Sequence, residues 1–124
     1  MKIQDAIEQV TRLWPSDYDG NDMVIWLNRV ENQIYNEIIL THEGGEGIER
    51  PAFDEDTDWE TTELLAPAPY DELYRFYLEY QIDYHNIETE KAGNSMAMFA
   101  AAYKAYADWY NRTHMPTGVT PRWF

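Results

Sequence analysis

Helical periodicity along this chain has one long break, between Glu43 and Ala68, and that break decides what the rest can fold into. On either side of it apolar residues recur at the three-and-four spacing of a single helix face. Within Glu43–Glu63 nine acids stand against one base, Arg50, which places −8 of the chain's −14 formal charge there. A structureless stretch of this length is unusual inside a small domain and is normally functional or disordered. The pattern predicts an all-α fold: a four-helix domain over 1–114 with an acidic loop at 43–68, expected to be mobile, and a C-terminal tail at 115–124.

The first helix is expected over about Ile3 to Leu13, with Ile3, Ala6, Ile7, Val10, Leu13 and Trp14 on its apolar side. Pro15 stops it, because the residue before a proline is pushed out of the helical region. Asp19 or Asn21 can cap a second helix by accepting from an orphan amide. That helix is expected over about Asp22 to Thr41, with Met23, Leu27, Val30, Ile34 and Ile38 as its main stripe. Gly44 and Gly45 end it, since glycine readily turns left-handed after a helix.

A third helix is expected from near Pro69, a good first-turn residue, to a stop before Gly93. Tyr70, Leu73, Tyr74, Tyr77, Gln81 and Tyr84 form its stripe, flanked by Phe76, Leu78, Tyr80, Ile82 and Ile87. Such an all-round apolar helix must be buried on more than one side, by the fold or by neighbouring subunits. Asn94 or Ser95 is expected to cap a fourth helix over about Ser95 to His114. Phe99, Ala102, Tyr106, Trp109 and Tyr110 make its heavy face, and Ala97, Ala100, Ala101, Ala105 and Ala107 keep the remainder thin.

Charge and composition exclude several functions. An excess of 23 acids over 9 bases argues against sequence-independent nucleic-acid binding, which needs cations to neutralise phosphates, and against an anionic membrane surface. With no cysteine there is no disulfide, thiolate metal site or thiol nucleophile. No apolar run approaches the ~20 residues of a membrane span, and the acidic turn at Asp5 does not suit a signal peptide. A soluble intracellular product is expected.

The chemical motifs are incomplete. Asp54, Asp56 and Asp58 hold positions one, three and five of a calcium loop, but Trp59 stands where glycine is needed and Leu65 where a bidentate glutamate is needed. His42-Glu43 opens a zinc-protease pattern whose second histidine is replaced by Glu46. His85 and His114 are expected to be surface or capping residues. Glu79 and Asp83 share a helix face that reads as solvated, with no sign of the pocket that acid–base work requires. Neither a catalytic residue nor a metal or cofactor site is expected.

Ten Tyr and five Trp are a large aromatic load for four short helices. Part belongs to the core; the remainder is expected at interfaces, where such rings are enriched. Phe53 and Trp59, apolar among the acids Asp54, Glu55, Asp56 and Asp58, are candidate partner anchors. So are Arg122, Trp123 and Phe124, which either dock on a partner or fold back on this chain's own core.

Three strings carry a resemblance. They are Ile34-Tyr35-Asn36-Glu37-Ile38-Ile39 leading to Thr41-His42-Glu43-Gly44, then Thr62 through Tyr74, then Asn94-Ser95-Met96-Ala97-Met98-Phe99 continuing through Ala102-Tyr103 and Trp109 to Pro116. Together they resemble the head–tail connector, or head-completion and neck adaptor, proteins of tailed phages and prophages of Gram-positive bacteria. The resemblance runs from the first helix to Pro116, and it implies a non-enzymatic protomer without cofactors. It further implies a ring of about twelve copies beneath the portal protein, meeting a downstream neck or tail-completion protein. DNA would pass through without specific binding. The location implied is the virion neck, with the host cytoplasm before assembly. Loops and the C-terminal segment rearrange on docking in such proteins. The long acidic loop and the Arg122-Trp123-Phe124 ending depart from the family pattern. Acids of Glu43–Glu63 then face either the lumen, where they repel phosphates, or a basic portal surface, or else only keep the protomer soluble. A second reading from a different class is an acidic inhibitor module that sequesters a basic partner protein by mimicking the charge of DNA.

Overall fold

The computed structural model describes residues 1–117. It is all-α, with α1 at Ile3–Leu13, α2 at Gly20–Ile34, α3 at Glu72–His85 and α4 at Thr89–Thr113. No strand occurs among the described residues; Lys2 with Glu63 and His42 with Pro116 make isolated bridges. α3 runs through the centre, packing on α1, α2 and α4.

α1 forms as its periodicity predicts, burying Ile3, Ala6, Ile7 and Val10. α2 starts two residues earlier than expected because Asp19 is its cap. The Asp22 amide donates to Asp19 Oδ1 at 3.0 Å and the Asp19 amide to Asp22 Oδ2 at 3.3 Å, a reciprocal arrangement that satisfies two otherwise free donors. The expected single rod to Thr41 does not persist: Tyr35–Ile39 is a π-helical turn. Widening the coil there inserts an extra residue, and Tyr35, Ile38 and Ile39 are buried. Gly44 then reverses the chain with φ of 84°.

Residues 43–68 are not a free loop. They form a strap that returns along α2 to the start of α1, held at each step. The Tyr35 hydroxyl donates to Ile48 O at 2.9 Å, Asn32 Nδ2 to Pro51 O at 3.0 Å, and the Phe53 amide to Asn28 Oδ1 at 2.9 Å. The strap then caps α1: Trp59 O and Thr62 O accept from the Gln4 and Ile3 amides at 3.0 and 3.1 Å. First-turn amides have no partner inside a helix, so strap and helix satisfy one another.

Two boundaries on the C-terminal side are corrected. α3 begins at Glu72, not Pro69, which lies after a cis Ala68–Pro69 bond in the preceding turn. The corner between α3 and α4 falls at Asn86–Glu88 rather than at Gly93. There the Glu88 amide donates to Asp83 O at 2.9 Å and Ile87 takes φ of 58°. α4 therefore passes through Gly93, Asn94 and Ser95 without a cap there, because Ala92 and Ser95 both bury against α3's end.

The aromatic load is absorbed by this one chain, contrary to expectation. Among the described residues Tyr84, at 60% exposure, is the one exposed aromatic side chain. A central α3 covered on several sides, a 25-residue α4 and the strap offer more cover than four short helices in a bundle. Polar tips are spent internally: Tyr18 on Asn86 at 3.2 Å, Trp14 Nε1 on Asp83 at 2.8 Å, and Tyr103 on Glu37 at 2.6 Å.

Candidate interaction surfaces

Three outward features and three buried polar centres result. The first feature is the strap's outer side. All nine acids between Glu43 and Glu63 are exposed, whereas Phe53 and Trp59 turn inward and are half-buried. The expected partner anchors thus hold the strap to its own chain. Trp59 lies over Gly20 so closely that a Cβ there would sit 2.5 Å from its Cη2. Asp54 and Asp58 serve local turns, accepting from the Asp56 and Glu60 amides at 2.9 Å each. Arg50 rests over the Tyr35 ring at 4.6 Å. Among the described residues no cluster of His, Asp or Glu could hold a metal ion.

The second feature is the outer face of α4. Gly93, Ala97, Ala100, Ala101, Lys104 and Ala105 are exposed, flanked by Met96 and Met98. No acid occurs from Lys91 to Ala107, in a chain of net charge −14. The third is the α3–α4 corner, where Ile87 is 85% exposed beside Tyr84. A cleft of about 500 Å³ opens there, lined by residues that include Tyr84, His85, Ile87 and Ala92. A smaller cleft of about 320 Å³ lies between α2 and the strap, lined by Asn21, Val24, Ile25, Phe53, Asp54 and Glu55.

Sequence reasoning missed the buried polar centres. Glu31 is 1% exposed; it accepts from the Leu65 amide at 2.8 Å and from the Tyr74 hydroxyl. Tyr74 in turn accepts from the Ala66 amide at 2.8 Å. Burial pushes the Glu31 carboxyl up to about 7, against the pull of those two hydrogen bonds. Burial, then the neighbouring Glu31, pushes Tyr74 well above its ordinary value. A signal for Glu31 was present: it falls between Leu27 and Ile34 in the apolar stripe of α2.

Asp83 is fully buried, accepting from Trp14 Nε1 at 2.8 Å and from Ser95 Oγ at 2.9 Å. Glu79, 7% exposed, lies beside it, so the face expected to be solvated is interior. Burial raises the Glu79 carboxyl; Arg75, ion-paired at 3.3 Å, lowers it and Asp83 raises it. His42 is the third centre, 4% exposed, with Nε2 2.7 Å from Asn111 Oδ1 and Nδ1 2.5 Å from Ile38 O. Its neighbours Thr41 and Glu43 bond the segment after α4: Glu43 N donates to Met115 O and Thr117 N to Thr41 O, both at 2.8 Å. His85 is exposed and His114 ends α4, as expected. Arg122, Trp123 and Phe124 lie outside the described residues.

Glu31, Asp83 and His42 are thus bonded within the chain and hold segments together. Among the described residues no helix is long and apolar enough to cross a membrane. No family model, curated protein or solved structure matches the chain.

Proposed function

We propose that this chain is a structural assembly protein, a head–tail connector protomer that packs side by side with copies of itself beneath a phage portal. The observation that carries this reading is the outer face of α4. A 25-residue helix packs along α3 on one side and presents a thin, acid-free alanine face on the other. Small side chains let a second helix approach closely, and a ring needs each protomer to show two different faces. The acidic strap is a second, chemically opposite face. Its nine outward acids suit a conduit that must not retain DNA, or a basic portal surface. The three strings that resemble connector proteins lie in the π-helical turn after α2 and the residues up to Gly44, in the strap's end leading into α3, and in α4 with the residues just after it.

Electron microscopy of the protein alone and mixed with the portal of its own phage tests the reading. A ring of about twelve copies, alone or on the portal, is the expected result. A strict monomer that leaves the portal bare overturns it. The same acidic surface favours a second reading, an inhibitor module for a basic protein, which predicts a soluble one-to-one complex with that protein and no ring.

A further inference from the structure

We propose that residues 118–124 of one copy dock in the cleft between α2 and the strap of a second copy, joining the two head to tail. This deepens the ring reading and rests on it for the supply of neighbours.

The cleft has a two-part chemistry. Its floor is apolar, with Val24, half-buried Phe53, and Ile25 at 54% exposure. Its rim carries the exposed carboxylates of Asp54 and Glu55. Neither carboxylate is in an ion pair among the described residues. An occupant must bring rings or alkyl groups to the floor and a cation to the rim. Residues 118–124 read Gly-Val-Thr-Pro-Arg-Trp-Phe, which sets the cation of Arg122 directly beside the rings of Trp123 and Phe124. A guanidinium meets a carboxylate with paired, charge-assisted hydrogen bonds, and Arg with Trp is the usual make-up of an interface anchor.

Reach favours a second copy over the same one. The Thr117 amide donates to Thr41 O at 2.8 Å, so the described residues end beside Thr41. Ile25 lies sixteen residues back along the same helical run, a distance of about 20 Å or more. Arg122 is only five residues beyond Thr117, at most about 17 Å when fully extended. Within one chain the segment would have to run fully extended for its side chains to touch the floor near Ile25; a neighbour's segment meets no such limit. Tail and cleft are different surfaces, so the contact is heterologous and propagates or closes with each added copy.

Two full-length variants test it by sedimentation velocity. Ile25→Asp spoils the floor, and Trp123→Ala with Phe124→Ala removes the rings. The native chain is expected to associate as its concentration rises, and each variant alone to stay monomeric. An equal mixture of the two should form a dimer and stop there, because one partner retains the tail and the other the cleft. A native chain that stays monomeric, an Ile25→Asp chain that associates like the native one, or a mixture that stays monomeric overturns the inference. Glu55→Arg should weaken association about tenfold, and adding Arg122→Glu should restore it; failure of that rescue overturns the pairing. Ile25 and Glu55 are exposed, and unchanged unfolding midpoints separate lost docking from lost folding. A portal-bound ring built from the Trp123→Ala, Phe124→Ala chain removes this contact and leaves the neck reading standing. Dimers in the mixture without any ring on the portal do the reverse.

Discussion

The Tyr74 hydroxyl donates to the buried Glu31 carboxylate and accepts from the Ala66 amide, tying α3, α2 and the end of the strap at one point. Glu31 holds its proton more tightly when folded, near 7, than the ordinary value of 4.5. Its contribution to stability is therefore complete below about 4.5 and is lost as pH rises toward 7, by about 3 kcal/mol in total. Glu31→Gln keeps an acceptor and stays neutral at every pH. Chemical unfolding across this range should show the variant slightly less stable at acid pH and more stable above neutrality. Parallel pH profiles for the two proteins would remove Glu31 as the titrating group.

Gly20 and Trp59 set a second test. Gly20→Ala puts a Cβ 2.5 Å from the indole, so Trp59 must leave its seat at the start of α2. Overpacking of this kind costs about 1–3 kcal/mol. Tryptophan emission should move to the red together with a lowered unfolding midpoint. An unshifted spectrum would mean the ring is not held there.

Much of this architecture was legible because one-sided burial writes itself into spacing. α1 has the bounds its apolar residues imply, and Asp19 caps α2 as its position before the stripe suggests. What escaped depended on partners distant in sequence. Tyr35–Ile39 has an ordinary α-helical pattern, and nothing in its spacing marks the wider coil. Gly93 resembles a stop, yet mid-helix glycine costs only about 1 kcal/mol, which the burial of Ala92 and of Ser95 against Asp83 offsets. Phe53 and Trp59, expected to anchor a partner, pack against this chain's own core instead. Nothing local distinguishes those two cases.

Asp83 joins the end of α1 to the start of α4 by accepting from both Trp14 and Ser95. Asp83→Ala leaves two buried donors without a partner, a loss of about 2–4 kcal/mol. Asp83→Asn retains one acceptor oxygen and should lose about half as much. Hydrogen exchange should report the same change locally, with faster exchange of amides near Ser95 in the alanine variant. Equal midpoints for the native and alanine forms would show that the corner does not depend on this carboxylate.

Ile87 raises the opposite expectation. Its φ of 58° places a β-branched side chain in the left-handed region, which costs about 1–2 kcal/mol. At 85% exposure the side chain recovers little of that by packing within this chain. Asparagine tolerates the same backbone, so Ile87→Asn should raise the unfolding midpoint, by about 1 kcal/mol in stability, with an unchanged denaturant slope. If the connector reading holds, the same substitution removes an apolar knob next to Tyr84 from the α3–α4 corner. A variant more stable as a free chain and less able to enter a ring would show that the strained isoleucine serves contact between subunits. One that is more stable and assembles normally would leave the strain at that corner without an assembly role.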